Sequence, residues 1–140
     1  MKKMTKMGMY LLLCFMTLAL FSCTQSLDEA VQSMKKDLPK DCGGGMKIIN
    51  IENKADFLEM TMSMNEDEVR MDNPLIETML QAMAGQMKEE FFKSDDIKPL
   101  MSQCKKENKG FKVIMEGETS KASVTFLEIP LEELQKQQDL

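Results

Sequence analysis

Four stretches of the chain have the apolar and β-forming residues of strands, and in one of them apolar and polar side chains alternate with a period of two, which is typical of a strand buried on one face. They span residues 46–53, 57–65, 111–118 and 121–129. The second stretch is the most regular, because Leu58, Met60, Met62 and Met64 are each followed by a polar residue. Short connections join the stretches in pairs, so the pattern predicts two β-hairpins.

Other stretches repeat apolar residues at helical spacing. Ser26 and Glu29 form a capping box before a first helix that ends at Pro39. Asn73-Pro74 is a strong start signal for the longest helix, which should end near Lys93. A third helix is expected after the cap at residues 94–96, and a short one after Pro130.

This order predicts an α+β fold in which a four-stranded antiparallel sheet, made from two hairpins, carries its helices on one face. A helix, a cysteine, glycine and a hairpin follow one another twice, around Cys42 and around Cys104. We therefore expect an approximate αββ duplication, with the helix 74–93 inserted between the halves. The run Gly43–Gly45 lacks the following Lys-Ser/Thr of a phosphate-binding loop and is interpreted as a turn into a strand.

The N-terminal segment has the pattern of an export signal. Lys2, Lys3 and Lys6 precede an apolar run over residues 7–21, which is shorter than the roughly 20 residues of a membrane-spanning helix. The run ends at Leu20-Phe21-Ser22-Cys23, which resembles the lipobox of bacterial lipoproteins, in particular those of Bacteroidetes. An uncleaved anchor helix with an incidental cysteine is the alternative.

The lipobox resemblance implies that residues 1–22 form a cleaved signal peptide and that Cys23 becomes the acylated N-terminal residue. Residues 23–26 would then be a short tether, and residues 27–140 a single domain. Thr24 is not the aspartate that retains lipoproteins in the inner membrane, so an outer-membrane lipoprotein is expected. Whether it faces the periplasm or the cell surface stays open.

Composition narrows the possible functions. Removal of residues 1–22 would remove three lysines and no acidic residue, which changes the net charge from −5 to −8. An acidic chain argues against nucleic-acid binding. The chain has no histidine or tryptophan, and its one tyrosine, Tyr10, lies in the signal segment. We therefore expect no enzyme, no catalytic residues and no cofactor.

Two cysteines are available for pairing. Cys14 would leave with the signal peptide and Cys23 would carry lipid, so Cys42 and Cys104 remain. In an exported protein such a pair is expected to form one disulfide. Separate buried thiols are the alternative, since no Cys-x-x-Cys spacing or third ligand supports a redox or zinc site.

Methionine is the unusual residue of this chain, with 16 of 140 positions. Met60, Met62 and Met64 would present three thioethers on one side of a strand, and thioethers are ligands that select Cu(I). Methionine is also a flexible filler of apolar cores. We favour the core interpretation and keep a Cu(I) site at these three residues as the alternative.

Residues 27–129 resemble a group of small exported bacterial proteins of unassigned function with a helix, hairpin, helices, hairpin plan. Those proteins carry cysteines where Cys42 and Cys104 stand. The plan is also similar to the helix-plus-sheet modules of secreted enzyme inhibitors. The resulting hypothesis is an envelope lipoprotein, anchored to the membrane by lipid, that acts as a binding, inhibitor or accessory module for a protein or glycan partner. A Cu(I)-handling lipoprotein is the alternative.

Overall fold

The computed structural model describes residues 26–67, 70–93, 95 and 97–137. The predicted signal peptide and Cys23 lie outside these residues, so the proposed processing stays a prediction. The elements, in chain order, are α1 (Leu27–Lys35), β1 (Lys40–Gly43), β2 (Met46–Asn53), β3 (Phe57–Met64), α2 (Pro74–Lys93), α3 (Lys98–Lys106), β4 (Gly110–Gly117), β5 (Ser123–Ile129) and α4 (Leu131–Lys136).

The predicted start signals of the first two helices are confirmed. The Ser26 hydroxyl accepts a hydrogen bond from the Glu29 backbone N–H at 3.2 Å, which caps α1. The Asn73 side chain accepts one from the Leu75 N–H at 3.0 Å, and Pro74 is the first residue of α2. Both caps satisfy backbone donors that a helix leaves without a partner in its first turn.

The prediction of a four-stranded antiparallel sheet is wrong, because the sheet has five strands in the order β1-β2-β3-β4-β5. The additional strand, β1, pairs antiparallel with β2. Gly44 and Gly45 connect these strands with φ angles of 65° and 79°. A two-residue hairpin turn of this kind needs positive φ at both positions, which glycine adopts without strain.

The sheet is also mixed rather than antiparallel, since β3 and β4 are parallel from Phe57↔Gly110 to Met64↔Gly117. The physical reason is the connection between them. The chain leaves the end of β3, passes through α2 and α3, and returns to the end at which β3 began. Such a crossover produces a parallel pair. The predicted αββ duplication also fails, because β1 precedes the first hairpin and no equivalent strand precedes β4.

The core lies between one face of the sheet and the helices. The predicted alternation in β3 is confirmed, since Leu58, Met60, Met62 and Met64 are all at most 4% exposed. Helix α2 contributes a buried stripe that ends at Phe91, whose ring stacks on Phe111 of β4 with centroids 5.4 Å apart. Helix α1 contacts β2, α2 contacts β5, and both α3 and α4 contact β4.

Among the described residues, no helix is both long enough and apolar enough to cross a membrane.

Candidate functional site

The two cysteines predicted to form a disulfide lie in different parts of the fold. Cys104 is a free thiol, completely buried in α3, so a Cys42–Cys104 bond is absent from the structure. Cys42 lies in β1, while α3 contacts β4, and β2 and β3 separate these two strands. Three strand spacings are about 14 Å, whereas a disulfide needs Cα atoms about 4.4–6.8 Å apart.

Burial also determines the chemistry of Cys104. Desolvation raises the pKa of its thiol to about 12, with a further contribution from the nearby Glu107 carboxylate. The thiolate is the reactive and metal-binding form of cysteine. Cys104 therefore behaves as a small apolar side chain of the core and not as a nucleophile or a ligand.

The three methionines considered as a Cu(I) site are packed in the core. Met60 and Met62 have no exposed surface, and Met64 is 4% exposed. Met62 lies between Ile48 of β2 and Met115 of β4 in the strand register. The structure thus brings the three residues to one face, as their spacing predicts, and surrounds them with apolar side chains.

A buried carboxylate that the sequence analysis missed joins two loops. Glu66, only 7% exposed, accepts hydrogen bonds from the backbone N–H groups of Met71 (2.8 Å), Thr119 (2.7 Å) and Ser120 (2.5 Å), and from the Ser120 hydroxyl (2.7 Å). These bonds, with that to the Ser120 N–H the largest cause, lower the pKa of Glu66 to about 2. They tie the β3–α2 connection to the β4–β5 turn.

Gly117 leaves the space that this carboxylate occupies. A Cβ atom at Gly117 would lie 2.5 Å from the Glu66 carboxyl carbon, which is too close for any side chain. In the sequence alone, Asn65-Glu66-Asp67 has the pattern of a polar, acidic connector between a strand and a helix. The structural role of Glu66 could not be found from spacing, because all of its donors except the Met71 N–H come from residues more than 50 positions away.

A groove lies between α2 and the edge strand β5. It encloses roughly 560 Å³. One wall is a single stripe of α2, formed by Glu77, Gln81, Ala84, Gly85 and Lys88. The opposite wall is the six consecutive residues 123–128 of β5.

The β5 wall consists of the strand edge. Six consecutive residues of the strand line the groove, and they include a register shift at Phe126 in the pairing of β4 with β5. β5 is the last strand in the sheet order, and an edge strand presents backbone donors and acceptors that a partner can pair with.

In the middle of the groove, the α2 wall has no side chain at Gly85 and only a methyl group at Ala84. At Gly85 an added Cβ would meet no atom within 4 Å. Beyond it, the Lys88 ammonium group forms an ion pair with Glu133 of α4 at 3.0 Å, and Glu128 pairs with Lys112 at 3.2 Å. The groove therefore has a small-residue centre and charged residues at one end.

The exposed large apolar residues of the described chain also belong to α2. Leu75 is 69% exposed and Met79 is 38% exposed. Both lie in the first turns of α2, but residues two positions apart on a helix do not share a face, so the pair points away from Glu77 and does not line the groove. The apolar spacing of this helix predicts both residues in its core stripe, together with Ile76 and Leu80; the prediction is wrong for Leu75 and Met79, which are exposed.

Comparison with known proteins gives one structural similarity. The pilotin EpsS from the type 2 secretion system of Vibrio vulnificus matches with a TM-score of 0.51 over 78% of this chain and 88% of that protein, at 13% sequence identity. At this identity the match shows a shared fold. No family model matches the sequence, and no curated protein is significantly similar to it.

Proposed function

We propose that this chain is a non-enzymatic accessory lipoprotein of the bacterial envelope, and that it binds a segment of a protein partner in the groove between α2 and β5. The lipobox-like Leu20–Cys23 supports the anchor. The similarity in fold to a pilotin of a secretion system supports an accessory role in the outer membrane by analogy.

The groove is the observation that carries this proposal, and Gly85 is its most informative residue. A glycine in a helix interior costs about 1 kcal/mol relative to alanine. The fold does not require glycine there, because nothing lies within 4 Å of the place where a Cβ would stand. Space at that point would, however, admit a partner between α2 and the β5 edge.

A matched pair of substitutions tests the groove. Gly85→Leu fills it with a side chain that favours helix, while Gly85→Ala adds one methyl group and serves as the control. A photo-crosslinking residue at Thr125, an exposed position of the β5 wall, reports on the occupant in cells. The same residue at Lys47, exposed outside the groove, reports on non-specific neighbours.

We expect a specific crosslinked protein from position 125 and not from position 47. Gly85→Leu should abolish this product, and Gly85→Ala should retain it. Equal crosslinking from both positions, or a product that survives Gly85→Leu, would contradict binding in the groove. A Cys23→Ser variant that stays in the membrane fraction would contradict the lipid anchor.

A further inference from the structure

The start of α1 is fixed to one end of the molecule. The Leu27 N–H donates a hydrogen bond of 2.8 Å to the Glu107 carboxylate, which follows α3. The Asp28 carboxylate accepts one of 2.7 Å from the Asn53 side chain, at the end of β2. Because Leu27 is completely buried, the chain enters the domain here at a defined position.

The two turns that meet at this point are bound to each other as well. The Lys109 ammonium group donates to the Asn53 side chain at 2.5 Å and to the Lys54 carbonyl at 2.6 Å. The Gly110 N–H donates to the Asp56 carbonyl at 2.9 Å. We call this surface the tether end, and define it as residues 26–28, 54–56 and 107–109.

The opposite end of the sheet carries the β1–β2 turn, the β3–α2 connection and the β4–β5 turn. We call it the far end, and define it as residues 44–45, 65–67, 70–73 and 118–122. β3 and β4 run from the tether end to the far end over eight residues each, a distance of about 25 Å at the usual rise of a strand. α2 begins at the far end, so Leu75 and Met79 lie close to it.

Tether length and position together determine which surface meets the membrane. Cys23 precedes Ser26 by three residues, and three extended residues reach about 10 Å. We propose that the tether end rests on the phospholipid headgroups of the membrane that holds the acyl chains, so that the strands point away from the membrane and the far end is the part of the domain most distant from it. This inference rests on the proposed acylation of Cys23.

The chemistry of the tether end fits headgroups and not acyl chains. Its outermost residues, Lys54, Ala55, Asp56 and Asn108, are exposed and polar or small. Within the described residues the exposed large apolar side chains are Leu75 and Met79, near the other end. The contact is therefore polar, and the exposed apolar pair lies away from the membrane.

The absence of tryptophan from the chain allows a direct test with single tryptophan probes. The full chain would be purified from membranes in its lipidated form and reconstituted into phosphatidylcholine vesicles that contain nitroxide-headgroup lipid. Ala55→Trp places the probe at the tether end, Gln32→Trp on the exposed side of α1, and Thr119→Trp at the far end; all three positions are exposed.

We expect quenching of tryptophan fluorescence to be strong at position 55, weaker at 32 and smallest at 119. Quenching at 119 equal to or stronger than that at 55, in protein that co-sediments with vesicles, would overturn the orientation while leaving the anchor intact. Equal quenching at 32 and 55 would show that the domain lies on its side along α1 and would also overturn it. Loss of co-sedimentation would refute the anchor, and the orientation with it.

Discussion

The core interpretation of the methionine strand can be tested most sharply at Met62. This side chain has no exposed surface and lies on the central strand β3, between Ile48 and Met115 of the neighbouring strands. Met62→Ala removes three side-chain heavy atoms, which corresponds to a transfer free energy of about 2.4 kcal/mol at 0.8 kcal/mol per buried group. A residual cavity raises the expected loss to about 3–4 kcal/mol.

Such a loss is a large fraction of the 5–15 kcal/mol that is typical of domain stability. At about 4 °C per kcal/mol for a domain of this size, the thermal midpoint should fall by about 12–16 °C. Met62→Leu conserves volume and should cost less than about 1.5 kcal/mol. Thermal and urea unfolding followed by circular dichroism measure both variants against the parent chain.

The same variants separate packing from copper binding. A ligand that binds only the folded state raises the midpoint, so Cu(I) coordinated by Met62 would stabilise the parent chain and not Met62→Leu. We expect the midpoints of both proteins to respond equally to Cu(I) under reducing conditions. A shift confined to the parent chain, or a cost of Met62→Ala below about 1 kcal/mol, would refute the core interpretation.

Three further outcomes are expected. The pKa of Glu66 is about 2 in the folded chain, against 4.5 for an unperturbed glutamate, so its contribution to stability is complete above pH 4.5 and is lost as the pH falls towards 2. Urea midpoints measured from pH 6 to 2 should fall less for Glu66→Gln than for the parent chain, and parallel curves would contradict this role. Gly85→Ala should raise the free energy of unfolding, measured with urea, by about 0.5–1 kcal/mol. A lower free energy of unfolding in this variant would show that the helix needs glycine at this position. Cys104 should resist a thiol reagent at pH 8 until the chain is unfolded by urea, and rapid modification of the native protein would contradict its burial.

Much of the secondary structure is predictable because its signals are local. Ser26 and Asn73 cap their helices through atoms within three residues, and the alternation of β3 follows directly from the pleat. The pairing of strands is not local. β3 and β4 are parallel only because α2 and α3 return the chain to the opposite end of the sheet, and no pattern within either strand encodes that path.

The missed strand β1 shows a different limit. Residues 40–43 do not alternate, and their burial pattern is irregular. The signal lies in the glycines that follow, because two consecutive residues able to adopt positive φ favour a tight hairpin. The Cys42–Cys104 pairing failed for a related reason, since the number of cysteines carries no information about the two strands between them.

The groove could not be predicted, because in α2 the residues that line it directly follow residues that pack in the core. Its buried positions include Ile76, Leu80 and Met87, and the residues that follow them, Glu77, Gln81 and Lys88, line the groove. Successive helix residues are rotated by 100°, so the groove stripe lies beside the core stripe and is composed of polar and small residues that a hydrophobic pattern treats as solvent-facing. Among the residues of α2 that line the groove, Gly85 is the one whose type a solvent-facing helix position disfavours. Since the folded chain offers no contact that requires glycine there, the reason for its presence is to be sought in what enters the groove.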